Sequence, residues 1–75
     1  MPKTVADYET KLDRILTAKL PAQVEIDDLG NKISAAQYRR EQCVFLATEV
    51  SRIAWSGPVL ARAKALVAKA RSHAR

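Results

Sequence analysis

Val24-Glu25-Ile26-Asp27-Asp28-Leu29-Gly30-Asn31-Lys32-Ile33-Ser34-Ala35-Ala36-Gln37 contains three changes of backbone habit within fourteen residues. Val24-Glu25-Ile26 alternates apolar and polar side chains, the pattern of a half-buried strand. Asp27-Asp28-Leu29-Gly30-Asn31 is turn chemistry, because Asp, Asn and Gly tolerate tight and left-handed backbone. Lys32-Ile33 offers a short return strand, and Ser34-x-x-Gln37 is a capping box that opens a helix. The stretch predicts one small β-hairpin running directly into a helix. A lone two-stranded hairpin is barely stable in water, so it must pack on helices to either side.

Upstream, Thr4-x-x-Asp7 predicts a helix N-cap with an acid in the first turn, where the helix dipole favours it. Val5, Tyr8, Leu12, Ile15 and Leu16 follow at helical spacing and form one apolar face. Lys19 falls in the last turn and Pro21 forbids continuation, which predicts a helix over about residues 4–19. Downstream, a second helix is expected over about residues 35–55. Its main apolar face is Ala36, Cys43, Leu46, Ala47, Val50, Ile53 and Ala54. Tyr38 and Phe45 form a ridge beside that face, and Val44 and Trp55 lie on the other side. This is more apolar circumference than one partner helix covers, and in so short a chain it predicts contact with another subunit.

Ser56-Gly57-Pro58 is a breaker, and it is also a seam in charge. Residues 1–57 carry eight bases and eight acids, which cancel. Residues 58–75 carry Arg62, Lys64, Lys69, Arg71 and Arg75 and no acid, so the net +5 of the chain belongs to them. Pro58 suits the first position of a third helix. Val59, Ala63, Leu66 and Ala70 make a stripe that Leu60 and Val67 widen. Arg62 and Lys69 flank one edge of the stripe; Lys64, Arg71 and Arg75 flank the other. The predicted organisation is a helix–hairpin–helix module over 1–57 and a basic C-terminal helix over 58–75. The class is α+β, mainly helical. Ala-rich helices of this length are marginal alone, so residues 58–75 are expected to be partly disordered in the free protein and to order on assembly.

Composition excludes several classes of function. The chain has 75 residues, with one Cys and one His, so it forms no internal disulfide and no His/Cys zinc cluster. No apolar run approaches the roughly 18 residues of a membrane span, and Met1-Pro2-Lys3 leads into polar sequence rather than a signal-peptide segment. A soluble protein of a reducing compartment, working by binding, is expected. No catalytic constellation is present and no cofactor or metal is implied. The two Gly residues build no phosphate loop, His73 lies near a chain end, and Cys43 sits on an apolar face where a thiol is inert. Asp27-Asp28 offers too few oxygens for Ca²⁺ and is expected to be a solvated turn.

The basic helix is the clearest functional candidate. Its residues Val59, Leu60, Arg62, Lys64, Leu66, Val67, Lys69, Arg71 and Arg75 suit docking into a protein groove, with cations pairing to acids on the rim. The same cations suit phosphate contacts of a small nucleic-acid-binding regulator, although no aromatic is interleaved for base stacking. A membrane-surface role is disfavoured by the absence of Phe and Trp from the apolar face. An inhibitor that docks on an enzyme through this helix is a further alternative, as is a solubilising helix packed on its own domain. A subunit interface is expected at Tyr38, Arg39, Phe45, Arg52 and Trp55, since aromatics and Arg are enriched at interfaces.

The layout of helix, hairpin, helix and basic extension resembles the lambda gpW-like head-completion proteins of tailed bacteriophages. The resemblance is carried by Ile15-Leu16-Thr17-Ala18-Lys19 at the exit of the first helix, by the hairpin 24–33, and by Ser34-Ala35-Ala36-Gln37. It covers about residues 5–55; Ala18 replaces a frequent Gly, and Pro21 precedes the first strand. The resemblance implies a non-enzymatic virion protein at the head–tail junction, present in the host cytoplasm before assembly. It implies a homo-oligomeric ring, usually of twelve copies, under a portal protein. Such a ring retains packaged DNA, with a non-specific DNA contact, and docks a tail or stopper protein. The C-terminal segment would insert against the portal.

Overall fold

The computed structural model describes residues 4–75. Three helices and one hairpin follow in the order α1 (Val5–Thr17), β1 (Gln23–Glu25), β2 (Lys32–Ser34), α2 (Ala35–Ser51) and α3 (Val59–His73). This is the mainly helical α+β architecture that the sequence predicts.

α1 begins where its cap directs. Asp7 N–H donates to Thr4 Oγ1 at 3.2 Å, and Thr4 N–H donates back to Asp7 Oδ2 at 3.0 Å, so both halves of the box form. The helix stops at Thr17, two residues earlier than periodicity suggests, and Ala18 turns into extended backbone. Its last carbonyls are met from outside the helix. The Arg39 guanidinium, half-buried on α2, donates to Ile15 O at 2.9 Å, to Leu16 O at 3.0 Å, and to Ala18 O. These are groups that a helix end otherwise leaves to water.

The hairpin pairs antiparallel, Gln23 with Ser34, Val24 with Ile33 and Glu25 with Lys32. Ile26 N–H donates to Asn31 O at 2.9 Å and closes the loop. Gly30 takes φ +81°, a left-handed conformation that side chains resist. Val24 and Ile33 face inward and are half-buried, while their neighbours are exposed. Ala35 N–H donates to Ala22 O at 3.0 Å and ties the hairpin base to the start of α2. Only the Ser34 half of the second capping box forms, with Gln37 N–H donating to Ser34 Oγ at 3.1 Å.

α2 ends at Ser51 rather than near 55. Beyond it the chain turns, and the Trp55 indole folds back so that Nε1–H donates to Val50 O at 2.8 Å. Gly57 at φ +65° and Pro58, already at helical torsions, then start α3.

One core joins all three helices. Val5, Tyr8 and Leu12 of α1 meet Cys43, Leu46, Ala47 and Val50 of α2 and Ala63, Leu66 and Ala70 of α3. Tyr8 and Trp55 pack edge to face, with centroids 6.3 Å apart. Burial, reinforced by the hydrogen bond to Glu49, raises the Tyr8 phenol above its ordinary range. Burial alone raises the Cys43 thiol. Two expectations change here. On the main apolar face of α2, Cys43, Leu46, Ala47 and Val50 are buried within the same chain and Ile53 is half-buried, while Ala36, Ala54 and the larger Val44 and Phe45 stay exposed. The stripe of α3 is docked in the core, because residues 63, 66 and 70 fall on one helical face and the body offers a complementary surface.

Candidate functional site

The position of each predicted partner residue follows from how α3 docks. Leu66, expected at a partner surface, belongs to the core, only 5% exposed. Val59 and Val67 are half-buried against it, and Leu60 remains exposed. The two cationic edges have separate surroundings. Arg62 reaches across to α1 and pairs with Glu9, and Lys69 Nζ lies 3.8 Å from Asp13 Oδ1. Both pairs are solvent-accessible. Lys64, Arg71 and Arg75 on the other edge are exposed and have no ion pair among the described residues.

An open groove of about 360 Å³ runs along that second edge. Its floor is Ile53, Trp55, Leu60 and Val67, and Lys64 and Arg71 stand over it. The turn after α2 builds one wall, because Trp55 is pinned by its bond to Val50 O and by its ring contact with Tyr8. Lys64 and Arg71 are seven residues apart, hence on one side of the helix and about 10 Å apart along its axis. An apolar floor with cations on the rim and no acid among its lining residues suits an apolar segment that carries carboxylates.

The residues predicted as a subunit interface are dispersed. Arg39 caps α1 and Trp55 is half-buried in the groove wall. Tyr38 is half-buried beside the end of α1, near Ile15 and Leu20. Phe45 and Arg52 are exposed, and Phe45, at 67% exposure, lies with Val44 on the outer side of α2.

Comparison of the chain with known protein families, with characterised proteins and with solved structures gave no match. The site is therefore read from its own geometry.

The hairpin tip, expected only to be a solvated turn, carries exposed apolar side chains as well. Leu29 is 88% exposed and Ile26 is 50% exposed, the two flanking Asp27 and Asp28. Asp27 organises the turn. Its Oδ1 accepts from Leu29 N–H at 2.9 Å and Asn31 N–H at 3.1 Å, and its Oδ2 accepts from Asn31 Nδ2 at 2.7 Å. The Asn31 side-chain bond, helped by the backbone donors, holds the Asp27 carboxyl below the usual carboxylate range. A spacing signal was present, since apolar residues three apart in a turn have no interior to enter. Among the described residues no cluster of three metal-ligating side chains occurs, and no helix is long and apolar enough to cross a membrane.

Proposed function

We propose that this chain is a non-enzymatic assembly protein of a phage head–tail junction, forming a ring beneath a portal and docking a tail or stopper protein. The observation that carries the reading is the placement of its exposed large apolar side chains. They lie in three separate places: Ile26 and Leu29 on the hairpin tip, Val44 and Phe45 on the outside of α2, and Leu60 on α3. The core is already filled without them. A ring subunit held between two other proteins needs such a surface for each neighbour. The helix–hairpin–helix layout with its basic third helix supports the same reading.

The second reading, a nucleic-acid-binding regulator, is less well supported by the charge on α3. Arg62 and Lys69 sit against acids of α1, and the remaining cations border an apolar floor rather than a continuous basic track.

Sedimentation velocity tests the proposal at tens of micromolar, with the protein alone and mixed with a portal ring of a tailed phage. Self-association, or co-sedimentation with the portal, is the expected result. A monomer in both conditions overturns it. A salt-dependent complex with duplex DNA and none with protein would favour the second reading.

A further inference from the structure

The groove beside α3 and the hairpin tip are complementary in apolar character and in charge. The groove has an apolar floor and two unpaired cations, Lys64 and Arg71. The tip has two exposed apolar side chains, Ile26 and Leu29, and two carboxylates, Asp27 and Asp28. We propose that the tip of one copy seats in the α3 groove of the next, with Leu29 on the floor and Asp28 between Lys64 and Arg71. The inference rests on reading the chain as an assembly protein, and it names the partner of the groove as a second copy.

Geometry makes the contact intermolecular. The hairpin is tied to the start of α2 through Ala35 N–H and Ala22 O. The wall of the groove is built by Val50, Ile53 and Trp55, at and beyond the end of α2. A helix of 17 residues separates the two, about 25 Å along its axis. The bond between Ala35 N–H and Ala22 O holds the hairpin base at the start of α2, at the far end of that helix from this wall. A contact between two different patches is heterologous, so each copy has one tip to give and one groove to fill. Repetition closes a ring if the rotation per step divides the circle, and makes an open helix if it does not.

The tip is also prepared for docking. The three bonds to Asp27 fix the turn before any partner arrives, so little conformational freedom is lost on binding. Asp28 makes no hydrogen bond or ion pair among the described residues and is free to meet the cations. Four residues cover far less than the roughly 800 Å² per partner of a standard interface, so a single contact is weak and ring closure supplies the avidity.

Two exposed substitutions test this, Leu29→Ser on the tip and Lys64→Glu on the groove. Neither side chain contributes to the core, and circular dichroism checks that both variants fold. By sedimentation from micromolar to about 1 mM, the native chain self-associates and each variant alone weakens by roughly tenfold or more. Mixing the two variants is the decisive measurement. The intact tip of the Lys64→Glu copy meets the intact groove of the Leu29→Ser copy, and the other pairing is defective on both sides. The mixture therefore forms a 1:1 complex of native contact affinity and nothing larger. Variants that self-associate like the native chain, or a mixture that forms no complex, overturn the tip-in-groove contact and leave the assembly reading standing. A native chain that is monomeric throughout and ignores a portal ring overturns both. A groove variant that loses portal binding but keeps native self-association assigns the groove to another protein and overturns the inference.

Discussion

The two edges of α3 carry the same kind of charge on the same helix and end in different situations. On one edge Arg62 and Lys69 face Glu9 and Asp13 of α1; on the other Lys64 and Arg71 stand over an apolar groove whose lining holds no acid, and neither makes an ion pair among the described residues. The first edge helps to align α3 with α1 inside the chain. The second has no ion pair among the described residues, and it is the edge that the proposed contact uses. Net charge alone does not separate these roles, because what matters is which cations the fold has already answered.

The comparison depends on α3 being docked, so the largest effect comes from undocking it. Leu66→Ala removes the largest α3 side chain from the core and should cost about 2–5 kcal/mol. Thermal unfolding would show it as a lower Tm, and both edges would then behave alike. A smaller loss, about 1–3 kcal/mol, is expected for Arg39→Ala, which strips three carbonyls at the end of α1 of their donor. Arg39→Lys should recover only part of it, since a single ammonium does not reproduce the guanidinium fork. Amide exchange would locate the damage at the end of α1, leaving the groove edge unchanged.

The edges themselves separate at a finer scale. Arg62→Gln should lower stability by about 0.2–1 kcal/mol, because it loses a solvent-exposed pair, and added salt should shrink the difference. Arg71→Gln should leave stability within about 0.5 kcal/mol of the native chain while weakening association. Urea unfolding at low and high salt, beside sedimentation, measures both. Equal stability losses would erase the distinction between the edges.

The smallest effect belongs to the tip. Asp27 has its folded pKa depressed by the donors of Asn31 and Leu29. It therefore holds the turn above the ordinary carboxylate value near 4, and that contribution is lost as pH falls through its lower folded value. Amide protection at Leu29 and Asn31 should fall in acid while the helices stay folded. Asp27→Ala should show the same loss at neutral pH.

Local features were readable from the sequence. Thr4 with Asp7, Ser34 before α2, and Asp27 through Gly30 in the turn are all short-range chemistry, and their elements form where expected. The unread features join residues far apart. Arg39 bonds to residues 21 to 24 positions earlier, and Arg62 to one 53 positions earlier, so no spacing rule reports them. Periodicity revealed the stripe on α3 but not what covers it, and the same chain covers it. α2 was expected to extend to Trp55, yet that indole is better placed turned back onto Val50 O and Tyr8. For the candidate site, the unpaired edge of α3 was visible as a row of cations. Its apolar floor was not, because Ile53 and Trp55 come to it only through the turn after α2.

Cys43 is the chain's single thiol, fully enclosed by the three helices and pushed up in pKa by that enclosure. A thiol reagent reaches it only when the helices part. The rate of labelling is then a clock for the opening of the core, readable in ordinary buffer without denaturant. Running that clock at low and high protein concentration would tell how much of the fold's endurance belongs to the single chain, and any slowing at high concentration would measure what the proposed assembly adds.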